Sequence, residues 1–142
     1  GVMVEHHHLN HYNNWLKTHI AYAESSFIDC SSKLSFDATV SVLFTPLVSG
    51  QTVALCPDAT KENPHLYLDY LEKHAITLIK LTPTYLSALL NKYELLDLSQ
   101  KLKHLKCLIV GGEKAHQEIL LKWMKRVPHC QIIHHYGPTE TT

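Results

Sequence analysis

Five short apolar runs, each separated from the next by an amphipathic stretch, set the strongest limit on how this chain folds. Runs near 27–31, 52–56, 77–81, 107–110 and 131–134 have the length and composition of strands. The stretches 8–18, 39–48, 64–74, 84–92 and 117–126 carry apolar residues at helical spacing. Such alternation builds strand–helix units whose strands run parallel, so the fold class is α/β, a largely parallel sheet with flanking helices. Pro64 suits the first turn of its helix, and Leu66, Leu68, Tyr70 and Leu71 supply its apolar face. The stretch 95–105 reads as the one longer connection. No internal repeat or low-complexity tract appears, and 1–142 reads as one continuous domain piece.

At 142 residues the chain is long enough to bury one core. Its 13 Lys and Arg balance 13 Asp and Glu, and the basic residues are scattered, so no stripe offers the electrostatic footprint that nucleic acid needs. Neither a membrane-spanning run nor a signal-peptide pattern is present, which predicts a cytoplasmic protein with no membrane partner. Cys30, Cys56, Cys107 and Cys130 are dispersed without zinc-finger or redox spacing, as expected of reduced and mostly buried thiols.

Ligands in open parallel sheets collect beyond the carboxyl ends of strands. Two motifs fall there: Gly111-Gly112 follows the fourth run, and Tyr136-Gly137-Pro138-Thr139-Glu140 follows the last. Tyr136 offers a flat face to a base, Gly137-Pro138 forces a turn, Thr139 can donate to a phosphate, and Glu140 can hold a hard cation such as magnesium. Asp37 stands at an apolar helix start, either as an N-terminal cap or as a carboxylate that needs a partner. Lys80 interrupts a strand whose alternation puts Ile76, Leu78 and Lys80 on one face, so it either snorkels to solvent or meets an anion. His134 and His135 are either hydrogen-bonded structural histidines or site residues. In Glu5-His6-His7-His8 with His11, His7 and His11 share a helical face and invite a metal reading.

The motif around Tyr136, the loop Gly111-Gly112-Glu113, the segment Ser35-Phe36-Asp37-Ala38-Thr39-Val40 and the opening Gly1-Val2-Met3-Val4-Glu5-His6 occur here in one order and spacing. Together they resemble the adenylate-forming enzymes, in particular the amino-acid adenylation domains of nonribosomal peptide synthetases, over the whole chain. The resemblance implies a partial AMP-binding domain, a fragment of the large N-terminal subdomain, from the end of the phosphate loop to the Tyr-Gly-Pro-Thr-Glu motif. It implies ATP and Mg2+ as cofactors, an amino-acid substrate, neighbouring synthetase domains, and a carrier-protein partner bearing phosphopantetheine. The phosphate loop and the catalytic lysine of the family lie outside this chain, so the chain alone is expected to be inactive.

The resemblance also implies site roles. Thr139 and Glu140 would serve catalysis, with Glu140 on the metal. Gly112, Glu113, Lys114, His134, Tyr136 and Thr139 would contact the nucleotide. Asp37, Ala38, Ser41, Lys80, Ile109, Gly111, His135 and Gly137 would line the amino-acid pocket, with Asp37 on the substrate's α-ammonium group. That set resembles aspartate-activating modules through Asp37, Lys80, Gly111 and His135, while Ala38 and Ser41 are smaller than usual and leave room for a larger side chain. His134 stands where asparagine is usual, and Lys114 stands where the family usually has alanine. The family places a Glu-His pair at the start of the chain without metal chemistry, which disfavours a metal role for the histidine cluster. Alternative readings are another adenylate-forming ligase, charging a carrier protein or coenzyme A, or a non-catalytic remnant.

Overall fold

The computed structural model describes residues 1–20, 27–92 and 97–141. Its five strands are β1 (Phe27–Cys30), β2 (Thr52–Leu55), β3 (Leu78–Leu81), β4 (Cys107–Gly111) and β5 (Gln131–His135), all within a residue of the runs that predicted them. Helices α1 (His6–His19), α2 (Ala38–Val48), α4 (Pro64–Lys73), α5 (Pro83–Lys92) and α7 (Gln117–Arg126) occupy the five predicted stretches. Two short helices were not predicted: α3 (Asp58–Glu62), and α6 (Leu98–Lys101), which lies within the expected long connection. Residues 95–96 of that connection and Thr142 of the last motif lie outside the described residues.

Every strand pairing is parallel, in the order β2-β1-β3-β4-β5. The winding direction therefore reverses between β1 and β3, which opens a crevice at their carboxyl ends, the place where ligands bind in doubly wound folds. Side-chain alternation sorts the strands into two faces. Ile28, Cys30, Leu78, Cys107 and Ile109 pack with Leu16 of α1, Ile20 just past its end and Val42 of α2. Ile79, Leu81, Leu108 and Val110 pack on the other face with α4, α5, α6 and Trp123 of α7.

Two details of the predicted faces need correction. Tyr67, fully buried, takes the place expected of Leu66 in α4, and Leu66 is 48% exposed. The reason is a buried partner: the Tyr67 hydroxyl donates to Asp29 on β1 at 2.6 Å. Ile76 lies before β3 rather than within it and packs with the α4–α5 face, so the alternation that puts Leu78 and Lys80 together does not extend back to it. The cysteines are free thiols, three of them buried, and burial pushes Cys107 and Cys130 up to about 12, which keeps them protonated and inert.

Candidate active site

Four chain segments converge at the carboxyl ends of the strands. Asp37 and Ala38 open α2 after β1, Lys80 is the last residue but one of β3, Gly112, Glu113 and Lys114 follow β4, and His134 to Pro138 close β5 and leave it. They line one cleft of about 820 Å3, together with His11, Tyr12, Trp15 and Val40. Ten of the residues given a site role by the resemblance share its wall: Asp37, Ala38, Lys80, Gly112, Glu113, Lys114, His134, His135, Tyr136 and Gly137. Ser41, Ile109, Gly111, Thr139 and Glu140 are not among its lining residues.

Asp37 occupies the N-cap position of α2, yet its side chain makes no capping hydrogen bond. Its own backbone is helical, φ −59° and ψ −29°, which turns the carboxylate away from the free amides of the first turn. Oδ2 instead accepts a hydrogen bond from the Thr139 hydroxyl, 102 residues later. The carboxylate is exposed, so it carries no burial cost of the kind its apolar neighbours suggested.

Lys80 does not snorkel. Its Nζ donates to Ser41 Oγ at 2.8 Å, to the Ala38 carbonyl at 3.2 Å and to His135 Nδ1 at 3.5 Å. Burial pushes the ammonium down to about 8, and the Asp37 carboxylate opposes that fall. Ser41, fully buried, holds the lysine from beneath instead of facing the cleft. Ile109 is likewise fully buried and packs among the side chains between the sheet and the first two helices.

Gly111 has no room for a side chain. A Cβ there would sit 2.6 Å from the His135 carbonyl oxygen on the paired strand, so the strand register itself demands glycine. Gly112 has φ +83°, a left-handed turn that lets the loop leave β4 over the cleft. The carboxylate of Glu113 accepts from the backbone N–H of Thr84 at 3.2 Å and from its hydroxyl, which ties this loop to the first turn of α5. Tyr136 is 88% exposed, with its ring free to receive a flat partner. Glu140 is exposed on a 3-10 turn, Thr139–Thr141.

His135 is half-buried, and burial followed by the Lys80 charge holds its imidazole below the usual histidine range. Its Nε2 lies 3.3 Å from the hydroxyl of Tyr12. Tyr12 and Trp15 went unremarked in the sequence, although Leu9, Tyr12 and Leu16 share the spacing of an inward helix face. His7 pairs with Glu5 at 3.1 Å, and no three potential ligands among the described residues assemble a metal site.

A family model described as "AMP-binding enzyme" matches residues 1–142. The chain belongs to the AMP-binding enzyme family. Surfactin synthase subunit 2 of Bacillus subtilis (strain 168) is 29% identical over the whole chain, which covers 4% of that protein, and tyrocidine synthase 3 of Brevibacillus parabrevis is 33% identical over 99% of the chain, 2% of its own length. This AMP-binding chain thus spans a small part of each relative. Among solved structures, the nonribosomal peptide synthetase FmoA3 in its AMPPNP-bound form superposes with TM-score 0.87 at 24% identity, over 98% of this chain and 15% of that one. The Vibrio cholerae adenylation domain AlmE, in complex with glycyl-adenosine-5'-phosphate, gives 0.85 at 23% identity, over 98% and 25%. These superpositions show that the AMP-binding chain has the fold of adenylation domains.

Proposed function

We propose that this chain forms one wall of an amino-acid adenylation site, which activates an amino acid with an acidic side chain, L-aspartate foremost, with ATP and passes it to a carrier-protein phosphopantetheine thiol. The observation that carries this reading is the placement of an exposed carboxylate, Asp37, and a half-buried ammonium, Lys80, in one cleft at the carboxyl end of the sheet.

An amino acid that offers its α-carboxylate to ATP leaves two groups for the pocket to recognise. The α-ammonium suits Asp37, where it replaces the neutral Thr139 hydroxyl with a charged donor. An acidic side chain suits Lys80, and the pair of opposite charges on the protein then meets the same pair on the substrate. Asparagine would leave Lys80 facing a neutral amide, a loss of about 2–5 kcal/mol for a well-buried charge pair. Small Ala38 leaves room for glutamate or a hydroxylated aspartate.

On the nucleotide side, Tyr136 would stack on adenine, Gly112, Glu113, Lys114 and His134 would line its edges, and Thr139 would donate to phosphate once released from Asp37. Glu140 fits a magnesium ion, which takes one or two carboxylates and completes its shell with substrate phosphates and water. Such an ion would stabilise negative charge developing on phosphate. Attack by the carboxylate on the α-phosphate expels pyrophosphate and needs no proton transfer. The work left to the protein is to hold the two reactants in line and to balance charge.

The test is amino-acid-dependent exchange of pyrophosphate into ATP by the intact adenylation domain containing this chain, across all common amino acids. Aspartate is expected to give the highest kcat/KM. A preference for an aliphatic or aromatic amino acid overturns the pocket reading.

A further inference from the structure

Four side chains from four elements close a ring of hydrogen bonds under the cleft. Lys80 Nζ reaches Ser41 Oγ and His135 Nδ1, His135 Nε2 reaches the Tyr12 hydroxyl, and Tyr12 in turn hydrogen-bonds Ser41, whose own hydroxyl donates to the Ala38 carbonyl at 2.9 Å. The direction of every bond follows from which groups can donate. An ammonium has donors only, so His135 Nδ1 must be the bare, accepting nitrogen. The imidazole proton then sits on Nε2 and points at Tyr12. Tyr12 accepts it and passes its own proton toward Ser41 Oγ, which accepts from Lys80 as well. With the Ser41 proton on the Ala38 carbonyl, this arrangement gives each polar proton of the ring an acceptor.

We propose that Tyr12 is a specificity-determining positioning residue: its hydroxyl accepts from His135 Nε2–H, adds to the preference for the neutral Nε2–H tautomer that Lys80 also favours, and so holds the imidazole whose bare Nδ1 aims the Lys80 ammonium as the cation of the substrate pocket. Tyr12 lines the cleft, but its hydroxyl acts through His135. The inference rests on the reading of Lys80 as the partner of an acidic side chain. It revises the simplest version of that reading, in which His135 also faces the substrate carboxylate, because both of its ring nitrogens are already engaged by the protein. Burial and the Lys80 charge keep His135 neutral against the opposing pull of Asp37, with His134 adding a lesser push in the same direction. Burial raises the Tyr12 phenol to about 12, so it keeps the proton it donates.

Tyr12→Phe removes one oxygen and little else, so the fold is expected to survive, which thermal unfolding checks. In the 15N-histidine-labelled adenylation domain, with the His135 signals assigned by their loss in His135→Gln, the wild-type ring is expected to show the shifts of an Nε2–H tautomer. In Tyr12→Phe those shifts move toward a tautomer mixture. In the same variant KM for aspartate is expected to rise about tenfold, as one charge-linked hydrogen bond is lost, with kcat and neutral amino acids little changed. An unchanged tautomer, or an equal loss for every amino acid, overturns the proposal. If exchange shows no preference for acidic amino acids while the tautomer still responds to Tyr12→Phe, the substrate reading fails and the hydrogen-bond ring stands.

Discussion

Two half-buried lysines, one on each face of the sheet, are both pushed down to about 8 by loss of solvent, yet their surroundings have little in common. Lys80 has three hydrogen-bond acceptors and opens on the cleft. The ammonium of Lys61, on α3, has no hydrogen-bond partner among the described residues and rests on the rings of Tyr67 and Tyr85 at 3.7 and 4.3 Å. Its charge interacts with Asp29, which is 1% exposed, accepts from Tyr67 and Ser31, and leaves Oδ1 unpartnered. A depressed lysine therefore does not mark a site by itself. What separates the two is that the ammonium of Lys80 is held in a fixed direction by polar atoms beside open space, whereas that of Lys61 is wrapped in aromatic rings where no ligand reaches.

The largest effect that would break this contrast is on selectivity. Lys80→Met in the intact domain is expected to lower kcat/KM for aspartate by the equivalent of about 2–5 kcal/mol, while neutral amino acids lose far less. Lys61→Met should leave the ratio unchanged. Asp37→Ala, which removes the partner of the α-ammonium common to all substrates, should impair every amino acid alike. Pyrophosphate exchange reads all three, and a selectivity change in Lys61→Met would show that the two faces do not act separately.

Next in size is Gly111→Ala. The added Cβ would meet a backbone oxygen at 2.6 Å, so β5 has to move, and His135 moves with it. A strain cost of about 1–3 kcal/mol is expected in urea unfolding, together with a raised KM for aspartate. Loss of stability with unchanged KM would mean that the pocket tolerates displacement of its strand.

The strands were legible because their apolar runs stand between turn signals, and the five long helices because their apolar spacing spans several turns. The helices α3 and α6 were not, since five and four residues are too few to show a period. The cleft-lining motifs were legible as strand-end residues. Their partners were not, because a hydrogen bond between Asp37 and Thr139, or between His135 and Tyr12, joins residues more than 100 positions apart. Local pattern made Asp37 a plausible helix cap, and only the helical backbone at that position shows why its carboxylate is turned elsewhere. Asp29 lies hidden within a strand of apolar neighbours, and the tyrosine that satisfies one of its oxygens comes from helix α4, on the far side of a crossover.

What the two lysines share is exposed by pH, and Lys61, away from the cleft, is the one on which to measure it. An ammonium depressed to about 8 when folded and near 10.5 when unfolded leaves the extra proton on the unfolded chain. Stability contributed by such a group therefore rises with pH through about 8 and levels off near 10.5. Over the single unit from pH 8 to 9 wild type should gain about 1 kcal/mol relative to Lys61→Met, which carries the same buried thiols and so the same opposing linkage. Equilibrium unfolding at the two pH values measures the difference. A difference near zero would mean that Lys61 is solvated in the folded chain and that its aromatic enclosure is open.

The smallest effect concerns the apolar face alone. Ala75, just past the end of α4, has φ +49°, the left-handed conformation in which a Cβ costs about 1–2 kcal/mol. Its backbone N–H bonds the Glu72 carbonyl and that of Ile76 bonds Leu71, so the turn that starts the approach to β3 depends on this conformation. Glycine would relieve the crowding but widen the unfolded ensemble, which returns about 0.4–1 kcal/mol of the gain. Ala75→Gly is therefore expected to stabilise the chain by about 0.5 kcal/mol in urea unfolding, with amino-acid selectivity untouched because no bond of this turn reaches the cleft. A destabilised variant would place the Ala75 methyl group in contacts that outweigh the backbone strain. A stabilised variant with altered selectivity would show that the sheet transmits strain from the scaffold face to the pocket, and the contrast between the two lysines would then be one of degree.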